Sequence, residues 1–207
     1  MLRSAANLHA GVIFAVLCLP AFLPATSQGA RSPGIYARLD TSMGTILCEL
    51  FEKQTPVTVA NFIGLAEGTK EWMTPQGQFV KKPYYDGVIF HRVIKGTLIQ
   101  AGDVTKAGNF TPIPPFQDEI VPGLTFDRSG MLAMANNGPG TNTNRTQFFL
   151  TVKPSPYLNR KHTVFGKVVE GLEVAKRISE VPLFGNRPRD EVVIRKVTIE
   201  RIARPRK

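Results

Sequence analysis

Three short segments hold the side chains with chemical potential: Phe90-His91-Arg92-Val93-Ile94, Gln100-Ala101-Gly102-Asp103 and Thr146-Gln147-Phe148-Phe149. Together they supply one arginine, two glutamines and an apolar patch. The guanidinium stays charged at any physiological pH and presents a rigid fork of donors, which a neighbouring amide can orient. His91 and His162 raise acid–base or metal chemistry as a question, but no carboxylate lies at a ligand-like spacing to either. Taken alone, an arginine between large apolar residues commonly packs its stem and sends its head to water. The segment around Arg92 therefore does not by itself separate a site from a surface.

The elements that must position these residues are short. Val88 to Ile94 alternates as a half-buried strand, with Phe90, Arg92 and Ile94 on one face and His91 and Val93 on the other. Ile35 to Leu39 and Thr45 to Leu50 read as a hairpin around Thr41-Ser42-Met43-Gly44. Thr55-Pro56 supplies an N-cap and a first-turn proline for a helix carrying Val59, Phe62, Ile63 and Ala66, which Gly68 ends. Residues 69 to 83, with Trp72, read as a loop. Residues 104 to 128 carry Pro112, Pro114, Pro115 and Pro122 and read as an excursion over the surface. Further strands are expected at Leu98 to Ala101, Met131 to Ala135, Gln147 to Val152, Thr163 to Val169 and Val192 to Ile202, with a helix from Leu172 to Ser179. The count is about eight strands and two helices.

The 207 residues fit one domain with an extension. Arg3 precedes an apolar run from Ala10 to Ala25, followed by small and polar residues, which is a secretory leader layout. Pro20 and Pro24 interrupt the run, and it is shorter than the roughly 20 residues of a spanning helix, so removal before Gln28 is expected over a retained membrane anchor. The expected organisation is a leader at 1–27, a linker at 28–34, one domain at 35–203 and a basic tail at 204–207, in a periplasmic or secreted protein. Removing the leader takes away only Arg3 among charged side chains, bringing the net charge from +10 to +9. Those charges are scattered in pairs and no nucleic-acid motif accompanies them, so no specific nucleic-acid partner is expected. Cys48 would be the sole remaining cysteine, a buried packing thiol. A monomer without cofactor or metal is expected.

The three segments, in this order, resemble the signature of the cyclophilin family of peptidyl-prolyl cis-trans isomerases, and the likeness extends over roughly residues 35 to 203. It implies a mainly β fold, a closed eight-stranded antiparallel barrel capped by two α-helices. It implies that Arg92 is the catalytic arginine and Gln100 its positioning glutamine. Leu98, Phe149, Tyr157, Leu158 and His162 would form the proline pocket, Ala135 and Asn136 would hold the peptide through the main chain, and Gln147 would stand close by. The substrate would be a proline-containing polypeptide, turned during the folding of exported proteins. His91, on the face opposite Arg92, would be a hydrogen-bonded core or loop contact.

Three departures from the family pattern matter. Thr97 stands where a phenylalanine usually lines the pocket, which implies a wider, wetter slot. Tyr157 replaces a tryptophan found in many members, which implies weak inhibition by cyclosporin. The stretch Gly138 to Arg145 is two residues longer than usual, with Arg145 at a common glycine position, which implies an altered preference for the residue before proline, acidic ones being favoured. A proline-binding module or holding chaperone with little turnover is the alternative to an enzyme.

Overall fold

The structure is a computed structural model that describes Met1 and residues 31–204; residues 2–30, with nearly all of the expected leader and part of the linker, and the last three residues of the basic tail lie outside the described residues. β1 (Gly34–Thr41) and β2 (Gly44–Leu50) pair around Ser42-Met43 with Thr41 opposite Gly44, and the Thr41 hydroxyl closes the turn by donating to the Gly44 carbonyl at 2.6 Å. The further strands are β3 (Trp72–Met73), β4 (Phe79–Val80), β5 (Arg92–Ile94), β6 (Leu98–Ala101), β7 (Met131–Met134), β8 (Phe148–Thr151), β9 (Val164–Glu170), β10 (Leu183–Phe184), β11 (Arg187–Pro188) and β12 (Ile194–Ile202). Eight of them form one antiparallel sheet in the order β12-β1-β2-β9-β7-β8-β6-β5. The expected barrel is realised as a curled sheet: edge strands β5 and β12 do not pair along a ladder, but the segment before β5 is joined to the start of β12 by the isolated bridge Ile89 to Val193 and by the Phe90 amide on the Val192 carbonyl, the Ile194 amide on the Val88 carbonyl and the Gly87 amide on the Ile194 carbonyl. β3–β4 and β10–β11 are separate two-stranded hairpins.

Helix α1 (Pro56–Glu67) starts and stops where the sequence reading places it, and Gly68 ends it in a left-handed conformation at φ 72°. A side chain there would also collide with the Lys82–Pro83 backbone 2.5 Å away, so glycine is required twice over. The N-terminus differs from expectation. Thr55 makes no side-chain cap; its hydroxyl bonds back to the Phe51 carbonyl. The Glu119 carboxylate, from the proline-rich excursion, accepts from the Val57 and Thr58 amides at 3.1 and 2.8 Å. A carboxylate suits the positive end of a helix, and it ties the long loop to α1.

α1 sends Phe62 into the interior, where its ring meets Tyr85, Phe148 and Phe165 at centroid distances of 4.9, 5.6 and 5.4 Å. Helix α2 (Leu172–Ser179) adds Val174, Ala175 and Ile178 to the same core. Trp72 is not a loop residue but part of the short β3–β4 hairpin, buried in this core with its indole N–H on the Lys82 carbonyl. Cys48 is buried and unpaired, and burial pushes its thiol pKa up to about 12. Among the described residues no helix is long and apolar enough to cross a membrane.

Candidate active site

Strand register explains why the chemically able residues gather. Arg92 lies opposite Gln100, Gln100 opposite Phe149, and Phe149 opposite Ala133, so one row crosses β5, β6, β8 and β7 on a single face. The next row, Val93–Ile99–Leu150–Leu132, points the other way into the main core. The outward row rests on a second, smaller apolar cluster of Leu98, Phe126, Met131, Ala133, Phe149 and Val164. The site is thus on the outside of the curled sheet, with its own floor. Phe90 breaks the expected alternation: it is fully buried in the main core because regular strand geometry begins only at Arg92. Ile94 keeps its expected place beside Arg92.

A chain of three hydrogen bonds fixes the guanidinium. Arg92 Nη1 donates to Gln100 Oε1, Gln100 Nε2 to Gln147 Oε1, and Gln147 Nε2 to the Gly108 carbonyl, each at 2.9 Å. Donor follows acceptor along the chain, so each amide has one orientation that satisfies both neighbours. The chain needs β6 to run close to residue 146. Gly102 permits this: its φ is 100°, and a Cβ there would run into the Thr146 carbonyl. Tyr84 and Tyr85, both buried, hold the junction from inside through bonds to the Gly102 carbonyl, the Thr146 hydroxyl and the Thr146 carbonyl.

Beside Arg92 opens a cavity of about 410 Å³, lined by Arg92, Ile94, Leu98, Gln100, Ala135, Asn136, Phe149, Tyr157, Leu158 and His162. Phe149 forms its floor, stacked on Phe126 at 5.8 Å and meeting the His162 ring edge-on at 5.1 Å. Burial holds the His162 pKa below its ordinary value, and its Nδ1 lies 3.1 Å from the Met134 carbonyl. A carbonyl can only accept, so Nδ1 carries the proton and the neutral ring acts as a wall. Asn136, in the cavity wall, has its side chain committed to the Lys161 carbonyl and Asp118. A polar groove of about 220 Å³ adjoins, lined in part by Gln100, Ala135, Asn136, Gln147 and Arg145.

Every residue assigned from the sequence is in this region. Arg92, Gln100, Leu98, Ala135, Asn136, Phe149, Tyr157, Leu158 and His162 line the cavity, while Gln147 stands one hydrogen bond behind it in the polar groove. Ile94 is an added wall, and its register opposite Leu98 is the signal that finds it. Thr97 does not line the slot. It is buried in the turn between β5 and β6, its amide bonded to the Ile94 carbonyl and its carbonyl accepting from Val152, so its side chain supplies no wall where the family usually has a phenylalanine. His91 is buried at 8% exposure; its Nδ1 has no hydrogen-bond partner, while Gln147 acts on the ring as a side-chain hydrogen-bond partner. Burial lowers its pKa, outweighing the nearby Asp103 carboxylate, so the ring is held neutral. Among the described residues no cluster of His, Cys, Asp and Glu could hold a metal ion.

Residues 36–199 match the family described as cyclophilin type peptidyl-prolyl cis-trans isomerase/CLD. The peptidyl-prolyl cis-trans isomerase A of Mycobacterium tuberculosis is 49% identical over 172 residues, covering 79% of this chain and 91% of that protein. The peptidyl-prolyl cis-trans isomerase B of Streptomyces anulatus is 44% identical over 171 residues, covering 80% and 97%. The crystal structure of a Cryptosporidium parvum cyclophilin type isomerase superposes with a TM-score of 0.70 at 35% identity, covering 82% of this chain and 98% of that one. A second structure of that protein was determined in the presence of the dipeptide Ala-Pro. With the arginine–glutamine chain, the apolar slot and the curled eight-stranded sheet in place, the chain belongs to the cyclophilin-type peptidyl-prolyl cis-trans isomerases.

Proposed function

We propose that this isomerase rotates X-Pro bonds in the cavity beside Arg92, with Arg92 as the catalytic group and Gln100 orienting it. The barrier is loss of amide resonance, about 18–20 kcal/mol, and uncatalysed exchange takes roughly tens to hundreds of seconds. No covalent bond is made or broken. As the C–N bond twists, nitrogen regains a lone pair and becomes a hydrogen-bond acceptor. A guanidinium aimed at that nitrogen stabilises the twisted form more than either planar form, which is the condition for acceleration.

The proline ring would sit on Phe149 between Ile94, Leu98, Leu158 and His162, and the preceding residues would lie along the main chain of Ala135 and Asn136. Gripping the ring while the acyl part turns makes the rotation a first-order step within one complex. If electrostatics and positioning together remove about 7 kcal/mol, the gain is roughly 10⁵-fold. The observation that carries this reading is the guanidinium fixed at the lip of an apolar slot, since a module that merely holds proline has no use for a donor at the amide nitrogen.

The substrates proposed are exported polypeptides during folding, supported by Arg3 and the apolar run from Ala10 to Ala25. NMR exchange between cis and trans Ala-Pro peptide in the presence of the purified protein tests the activity. Cell fractionation with N-terminal sequencing tests the export: a mature chain beginning near Gln28 outside the cytoplasm supports it, and a full-length cytoplasmic chain overturns it.

A further inference from the structure

On the other side of Arg92 from the slot lies a second depression, of about 360 Å³, bounded by His91, Arg92, Gln100, Phe184, Asn186 and Arg187. Its outer wall is the tip of the β10–β11 hairpin. Phe184 there is 82% exposed, the most exposed ring among the described residues' large hydrophobic side chains. Single exposed apolar residues are ordinary on protein surfaces. This one is held rigidly beside the catalytic arginine: the Val93 amide donates to the Asn186 carbonyl at 2.7 Å, next to Arg92 in the chain, and Arg187 Nη1 donates to the Lys106 carbonyl at 2.8 Å. Two guanidinium groups line the depression and no carboxylate does.

We propose that this depression is a substrate subsite for the residues following proline, taking an aromatic or large apolar side chain against Phe184 and a carboxylate beside Arg187. This rests on the reading of Arg92 and the slot given above. Ala135 and Asn136, assigned to the chain entering the slot, line the slot and the polar groove but not this depression. The side of Arg92 they leave open is where the chain continues after the proline. Ring-on-ring burial favours an aromatic partner, and the two guanidinium groups in the lining favour an acidic one over a basic one.

The test uses the purified protein and three peptides sharing an Ala-Ala-Pro core, followed by Phe-Asp, Gly-Gly or Phe-Lys, with kcat/KM from NMR exchange and Kd from chemical-shift titration. The proposal expects Phe-Asp to exceed Gly-Gly by about tenfold in kcat/KM, with Phe-Lys between them. Phe184→Ala should erase most of the gain from phenylalanine, and Arg187→Ala the difference between Asp and Lys, while rates on the Gly-Gly peptide move less than twofold. Equal values for the three peptides in the wild type, or preferences that survive both substitutions, overturn the subsite. If no peptide turns over, the isomerase reading of the slot fails, and the Kd series still decides the subsite by the same comparison.

Discussion

Gln147 does not line the slot and stands one hydrogen bond behind Gln100, yet its loss should slow the reaction. In Gln147→Ala two of the three bonds in the Arg92–Gln100–Gln147–Gly108 chain disappear, and Gln100 becomes free to turn its amide. Each such bond contributes about 1 kcal/mol net. If between one and both of these are expressed in the placement of the guanidinium at the transition state, kcat falls about 5- to 30-fold. The proline slot is untouched, so KM should change less than about twofold and the melting temperature only slightly. The decisive assay is a double-mutant cycle with Arg92→Ala on an Ala-Pro peptide. In the Arg92→Ala background Gln147→Ala should cost almost nothing, giving a coupling of about 1–2 kcal/mol. Losses that simply add, or a fall confined to KM, would refute the positioning role.

Stability should decline on acidification. Burial keeps His91 and His162 below the ordinary imidazole value in the folded protein, whereas the unfolded chain takes up protons near pH 6.5. The unfolded state therefore binds more protons below that pH, and the melting temperature should be level above about pH 7 and fall from there toward pH 5, less steeply in a His91→Gln/His162→Gln variant. Melting scans across that range check the sign, and a rise on acidification would contradict it. The Cys48 thiol, with its pKa near 12, should ignore a thiol reagent in the native protein and react only on unfolding, which a spectrophotometric titration with and without denaturant reads. Glu119→Ala strips the carboxylate from the Val57 and Thr58 amides and should cost about 1–2 kcal/mol, a drop of about 3–6 °C in melting temperature.

The site was legible in the sequence where strand alternation and family likeness agree, as in Arg92, Gln100 and Phe149, which one register row then joins. The helices were legible because Pro56, Gly68 and Gly171 mark their ends locally. What was missed depends on distant partners. Nothing near Thr55 shows that Glu119 will cap α1, and nothing near Phe90 shows that the strand begins two residues later. The family likeness shows Thr97 at a position where an aromatic ring is usual, but not that the tight turn between β5 and β6 buries it. The β3–β4 and β10–β11 hairpins have two-residue strands, too short for a period-2 pattern to register.

Arg92 should act on the twisted amide and not on the resting peptide. Turnover and affinity of Arg92→Ala, measured on one Ala-Pro peptide by NMR exchange and chemical-shift titration, separate the two. With catalysis at the twisted amide, kcat should fall by about 10²- to 10³-fold while Kd stays within a few fold. Turnover close to wild type, or turnover and affinity lost in equal measure, would contradict it.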